Sequence, residues 1–179
     1  MQSENGKPET TPDLLGDCLY RDALISPCGQ YRYLLVRQWN RSKPYLPFVM
    51  LNPSTADAQQ DDPTIRRCMS FARREGCGGI VVVNLYALRS TDPKRLRDAG
   101  DPVGPLNGRV IYDAAVVAAE AGVPVICAWG VNDITQAAGG ALAQAREAGA
   151  NIMCLGKTSA GHPRHPLYVK GDQPLERYP

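Results

Sequence analysis

Four short apolar runs, separated by helix-like segments, constrain the fold of this chain more than any other feature of its sequence. The runs lie at residues 47–51, 80–83, 123–129 and 152–155. They are apolar at nearly every position, as expected of strands that are buried on both faces. Strands that alternate with helices favour right-handed crossovers, so the pattern predicts an α/β fold: a three-layer sandwich with a mostly parallel central sheet.

The segments between these runs carry signals for helices. Asp62 is a typical N-cap, Pro63 suits the first helical position, and Gly76 is typical of a helix end. Two further helices are predicted over residues 107–121 and 133–148.

The N-terminal part of the chain predicts a tail and then a hairpin. Residues 1–13 are polar, so we expect a disordered tail there and a single α/β domain over residues 14–179. Residues 19–24 and 31–36 flank a cluster of turn formers, which predicts an antiparallel hairpin that extends or caps one sheet edge.

Composition limits the classes of protein that this chain can represent. A formal net charge of +2 neither requires nor excludes a polyanionic partner such as DNA. No stretch approaches the roughly 18–20 apolar residues of a membrane span, so we expect a soluble cytoplasmic protein without a membrane partner. The six cysteines form no Cys-x-x-Cys pair, so we expect reduced thiols, no metal site and no cofactor.

The loops that follow the apolar runs hold most of the unusual polar residues. Ligands of open α/β sheets bind beyond the carboxyl ends of the parallel strands. The loops are residues 52–62, 84–93, 130–133 and 156–166. We therefore predict a site where residues 52–57 meet residues 161–166.

In the first loop, Asn52 offers a carboxamide that can orient a water or a substrate. Pro53 fixes the turn, and Ser54 and Thr55 are candidate substrate contacts, although such residues are also ordinary turn formers. Asp57 is either a general base or a solvated loop residue.

In the second loop, Asn84, Tyr86 and Arg89 provide an amide, an aromatic ring and a guanidinium, which together suit a base and a phosphate. The alternative is that Tyr86 packs over the core edge while Arg89 pairs with Asp92.

Both histidines of the chain, His162 and His165, lie in the last loop among prolines. Prolines stiffen a loop, and a rigid exposed imidazole favours a catalytic or ligand-binding role over a proline-rich surface turn.

The order of the motifs resembles the uracil-DNA glycosylase superfamily: strand then Asn-Pro, strand then Asn, strand ending in Trp-Gly, strand then His-Pro. Residues 50–57, 61–68 and 161–168 are more closely similar to a bacterial and phage family known as domain of unknown function 1643. That resemblance covers about residues 20–170.

The glycosylase resemblance implies roles for individual residues. Asn52 would position the attacking water, with Asp57 as a candidate aid. Asn84 would read the base edge. Met50 and Ser54 stand where the mismatch-specific branch has glycines. The histidine that stabilises the departing base matches either His162 or His165, because the loop has an extra residue, and we favour His162.

The implied activity is that of a DNA glycosylase in DNA repair, which cleaves the N-glycosidic bond of a damaged or modified base flipped out of DNA. Tyr86 would stack on the base, Trp129 would contact the substrate, and four cations would bind phosphates. These cations are Arg66, Arg67, Lys157 and Arg164. A hydrolase or transferase of free modified nucleotides, which weak basicity favours, and a non-catalytic nucleic-acid-binding module remain alternatives.

Overall fold

A computed structural model describes residues 19–54, 56–92, 96, 98–131 and 135–179 of the chain. In chain order, its strands are β1 (Tyr20–Ile25), β2 (Arg32–Gln38), β3 (Tyr45–Met50), β4 (Gly79–Asn84), β5 (Val125–Cys127), β6 (Ile152–Cys154) and β7 (Glu176–Arg177). The α-helices with described bounds are α1 (Pro63–Arg74), α2 (Asn107–Glu120) and α3 (Thr135–Glu147). The predicted tail at residues 1–13 lies outside the described residues, as does Thr55.

Within the described residues, all seven strands belong to one mixed sheet in the order β1-β2-β4-β3-β5-β6-β7. The central strands β4, β3, β5 and β6 are parallel, whereas β1 and β2 form an antiparallel hairpin that extends one edge. The α/β class and the hairpin are thus confirmed. Strand β7, which pairs antiparallel with β6 at the other edge, is not predicted from the sequence.

Helices cover both faces of the sheet. Successive side chains of a strand point to opposite faces, so a buried strand contributes to the core on each side. On β3, Phe48 and Met50 pack in the cluster that includes α1, whereas Val49 packs in the cluster that includes α2 and α3. Each of these β3 side chains is at most 5% exposed, so the strand is buried on both faces, as its apolar run predicts.

The predicted start of α1 is confirmed. Asp62 is the N-cap, and its Oδ1 accepts a hydrogen bond from the Ile65 N–H at 2.8 Å. Pro63 takes the first helical position, where its missing N–H costs nothing. Gly76 follows the helix with φ of 76°, a conformation that glycine adopts without a Cβ clash.

The parallel strands end together at one edge, which brings the predicted loops into proximity. Met50 of β3 lies beside Asn84 of β4 in the sheet register. Residues that follow these two strands are therefore neighbours. None of the helices in the described part of the chain has the length and apolarity needed to cross a membrane.

Candidate functional site

A cavity of about 700 Å³ opens at the carboxyl ends of the parallel strands. Its walls include residues from the loops after β3, β4, β5 and β6 and from the first turn of α1. Both loops expected to meet contribute to it, the first through Asn52 and Ser54, the last through Arg164 and His165. Its volume is in the range typical of small-ligand sites.

Asn84 is the most unusual residue of the cavity wall. It continues the stripe of Ile80 and Val82, which face the α1 side of the sheet by strand alternation. The side chain is 0% exposed, and neither its Oδ1 nor its Nδ2 has a hydrogen-bond partner among the described residues. Buried amides are normally hydrogen-bonded, so an unpaired carboxamide on the wall of a cavity is exceptional.

Backbone contacts hold Asn84 in place. The buried Asn107, at the start of α2, donates from Nδ2 to the main-chain oxygen of Asn84 at 2.8 Å and to that of Leu85 at 3.1 Å. The end of β4 is thereby fixed to α2. Sequence reasoning places Asn84 at the site but assigns nothing to Asn107, which reads as an ordinary residue at the start of a helix.

Asn52 lies on the cavity wall with its amide nitrogen already engaged. Its Nδ2 donates to the carbonyls of Pro53 at 3.0 Å and Ser90 at 2.7 Å. Two carbonyl acceptors require the nitrogen on that side and leave Oδ1 as the acceptor, with no partner among the described residues. An oxygen held this way can accept a hydrogen bond from a water or a substrate.

His165, and not His162, lines the cavity. Its Nδ1 accepts a hydrogen bond from the Leu167 N–H at 3.3 Å, which leaves Nε2 as the proton-bearing nitrogen of the neutral ring. Burial lowers the pKa of His165 and so favours the neutral form. The main-chain N–H of His162 donates a hydrogen bond to Thr158 Oγ1 at 3.2 Å, which stabilises the loop.

Among the described carboxylates, Asp62 lines the cavity and Asp57 does not. Asp57 Oδ1 accepts the N–H groups of Gln59 at 2.8 Å and Gln60 at 2.9 Å. These two hydrogen bonds lower the pKa of Asp57, which makes it a weaker base. The structure therefore places Asp62 at the site. The sequence predicts this residue only as a helix cap and not as a catalytic group.

Aromatic side chains are divided between the cavity and the core. Trp129 lines the cavity, is 2% exposed and meets the Tyr178 ring edge to face at 5.5 Å. Tyr168 lies at the mouth and is exposed. Tyr86, the expected stacking residue, instead packs against the cluster on the α2 side and does not line the cavity.

The expected phosphate ligands already have partners within the protein. Arg66 donates to the Asp61 carbonyl at 2.6 Å, and Arg67 donates to the Pro166 carbonyl at 3.3 Å. Arg164 Nε lies 3.1 Å from the Lys157 carbonyl, and Lys157 Nζ lies 3.6 Å from Glu176 Oε1. The exposed Arg89 donates to the Gly29 carbonyl at 3.3 Å.

Arg32 is a cavity residue that sequence reasoning does not find. It begins β2, is 2% exposed and lines the cavity. A charged residue at a strand end normally indicates a solvated position, so the sequence carries no signal that separates this arginine from a surface one. Among the described residues, no cluster of three or more His, Cys, Asp or Glu side chains could hold a metal ion.

Comparison with known proteins adds a family but no activity. The model of the family described as "Protein of unknown function (DUF1643)" matches residues 32–167. No curated protein and no solved structure matches the chain. The resemblance to domain of unknown function 1643 is therefore confirmed, while the wider resemblance to uracil-DNA glycosylases stays a prediction.

Proposed function

This chain belongs to the DUF1643 family, and we propose that it hydrolyses the N-glycosidic bond of a damaged or modified base in DNA. The observation that carries the proposal is the Asn84 carboxamide, which is fully buried on the cavity wall and has no partner for either polar atom in the described part of the chain. Nucleobase edges present adjacent donors and acceptors, and an asparagine amide pairs with such an edge through both of its polar atoms.

The other cavity residues suit a planar, partly apolar ring. Trp129 and Met50 are both at most 5% exposed and line the same cavity as Asn84. Apolar walls with a few fixed polar groups are typical of sites that bind small planar ligands. The proposal includes two further points. The three-layer fold is of the uracil-DNA glycosylase type, and the base enters the cavity after it is flipped out of the DNA.

Asn52 and His165 supply the polar groups that hydrolysis requires. As the bond from C1′ to the base breaks, its electron pair leaves with the base and the sugar becomes an oxocarbenium-like cation. Asn52 Oδ1 accepts a hydrogen bond from the water that attacks C1′. The Nε2–H of His165 donates to the departing base, whose negative charge it stabilises.

Asp62 takes the position that the sequence suggests for Asp57. It is the carboxylate on the cavity wall, and its Oδ1 is held by the N–H of Ile65. Its other oxygen receives the proton that the attacking water releases on binding to C1′. The products are the free base and an abasic site.

An oligonucleotide panel tests the proposal directly. We expect the protein to produce alkali-labile abasic sites from at least one substrate that carries uracil, hydroxymethyl-uracil, hypoxanthine or glucosylated cytosine. Asn52→Ala and His165→Ala should each reduce cleavage by at least about 100-fold with little effect on thermal stability, since an interaction with a departing charge contributes roughly that much. The proposal is refuted if none of the substrates is cleaved at enzyme excess.

One observation favours a second candidate function, the hydrolysis of free modified nucleotides. Arg66, Arg67 and Arg164 all donate to main-chain carbonyls, so fewer cations are available to a DNA backbone than the sequence indicates. Turnover of free deoxynucleotides without cleavage of DNA would support this function instead. Tight DNA binding without any turnover would identify a non-catalytic binding module.

A further inference from the structure

Arg32 carries a buried charge that has no ion-pair partner among the described residues. Its side chain lines the cavity, and the residue is 2% exposed. Among the described residues, the guanidinium makes one hydrogen bond, from Nη1 to the carbonyl of Ala56, and its buried Nε has no partner. Within the described ranges, it forms no ion pair with any carboxylate.

Arg37, on the same strand, shows how this fold satisfies a buried guanidinium. It is 0% exposed, and its Nε lies 2.7 Å from Asp61 Oδ1. Its other nitrogens donate to main-chain carbonyls, including that of Val36 at 2.8 Å and that of Gln60 at 3.3 Å. Arg37 is absent from the cavity wall, so the two arginines differ in partners and in access to a ligand.

Charges of both signs act on Arg32, but none of those in the described part of the chain forms an ion pair with it. Asp62 is on the same wall, but it forms no ion pair with Arg32 and its Oδ1 caps α1. Asp62 acts most strongly on Arg32, as an opposite charge; Arg89 and Arg37 act on it as like charges, and Asp57 as a weaker opposite charge. Burial lowers the pKa of Arg32 to about 10, which reflects the cost of an ionised guanidinium with so few partners.

We propose that Arg32 binds an anionic group of the ligand and makes the cavity selective for anionic nucleobase derivatives or nucleotides. The inference rests on the proposed function, because it places the ring of the same ligand against Asn84. The anion is either a carboxylate on the base or a phosphate of the same nucleotide. Either group would accept charge-assisted hydrogen bonds from the Arg32 guanidinium.

Equilibrium binding of matched probes tests the inference and separates the two anion sources. The first pair is uracil-5-carboxylate and uracil-5-carboxamide, and the second is deoxyuridine 5′-monophosphate and deoxyuridine. We expect at least one anion to bind about 10- to 100-fold more tightly than its neutral partner, the range given by one or two charge-assisted hydrogen bonds. A preference in the first pair identifies a base substituent, and one in the second pair identifies a phosphate.

Two variants assign the preference to Arg32. Arg32→Met should abolish it while neutral-probe binding changes less than threefold, and Arg32→Lys should retain part of it, because a lysine keeps the charge. Arg109→Gln is the control: Arg109 is exposed on α2, pairs with Asp113 and lies outside the cavity wall, so it removes one charge without touching the site. If Arg32→Met does not fold, the wild-type and Arg32→Lys comparison still decides.

Equal binding of anionic and neutral probes, or a preference that survives Arg32→Met, overturns the inference. Because binding is measured without turnover, this outcome is separate from that of the proposed function. Anion preference without cleavage of any DNA would refute the glycosylase proposal alone. Cleavage of DNA with no anion preference in either pair would refute the role of Arg32 alone.

Discussion

Replacement of Asn84 by leucine should make the protein more stable and weaken its binding of a base. The carboxamide is 0% exposed, and both of its polar atoms lack partners among the described residues. A buried polar group without a partner costs about 1–3 kcal/mol, and leucine has nearly the shape of asparagine. We therefore expect the free energy of unfolding to rise by about 1–3 kcal/mol, which corresponds to roughly 2–4 °C in Tm per kcal/mol for a chain of this length.

Asn107→Leu is the matched control, because Asn107 is a buried asparagine at 1% exposure that contacts the same strand end. Its Nδ2 donates to the Asn84 and Leu85 carbonyls, and the substitution would leave both without that donor. Part of this loss is offset because the buried Oδ1 of Asn107 also lacks a partner. We expect Asn107→Leu to lower the free energy of unfolding by about 1–3 kcal/mol.

Urea denaturation, monitored by circular dichroism, measures both stabilities. Titration with uracil, or with DNA that carries a damaged or modified base, measures binding. Asn84→Leu should weaken binding at least tenfold, since the hydrogen bonds to the base edge are worth about 1–3 kcal/mol. A lower stability for Asn84→Leu would show that its amide is satisfied in the folded protein. Unchanged binding would remove Asn84 from the site.

Three further predictions concern the histidines and a buried ion pair. His165→Ala should reduce cleavage at least tenfold more than His162→Ala in single-turnover assays, because only His165 lines the cavity; equal losses would contradict this. Since burial lowers the pKa of His165, the unfolded chain binds the proton at higher pH, so stability should fall as pH drops below about 6.5. In His165→Gln, stability should depend less on pH between pH 7 and 5. The prediction is refuted if the urea midpoint of the wild-type protein does not change over this range. Arg37→Met should lower the free energy of unfolding by about 1–3 kcal/mol, measured by urea denaturation, because it removes the hydrogen bonds to the Val36 and Gln60 carbonyls and one of the two arginine partners of Asp61; a near-neutral effect would refute the structural role of Arg37.

The sequence predicts the central strands well because burial on both faces produces a continuous apolar run. The stretch over residues 80–83 is such a run, and the structure has a strand at Gly79–Asn84. Strand β7, with the two residues Glu176–Arg177, has no detectable period and depends on its pairing with β6. A short edge strand is fixed by tertiary contacts, which a local pattern does not contain.

The candidate site is predictable where a polar residue interrupts an apolar strand end. Asn52 and Asn84 are found for that reason, and both line the cavity. Choosing between His162 and His165 depends on the path of a loop held by hydrogen bonds between Thr158 and His162, which composition does not specify. The favoured residue, His162, is accordingly not the one on the cavity wall.

Two pairs of identical residues separate structural from functional polarity in this protein. Arg37 and Asn107 are buried and have hydrogen bonds to the backbone that hold the Asp57–Gln60 loop and the end of β4. Arg32 and Asn84 are equally buried, but only they lie on the cavity wall; among the described residues, Nε of Arg32 and both amide atoms of Asn84 have no partner, whereas Asn107 lacks one only at Oδ1. A buried polar group without a hydrogen bond lowers the stability of the folded protein. At Arg32 and Asn84 this cost falls on the cavity wall, where a bound ligand would supply the missing hydrogen bonds. Substitution of Arg32 or Asn84 by an apolar residue should therefore reduce the binding of an anion or of a base, respectively, with less loss of stability than substitution of Arg37 or Asn107.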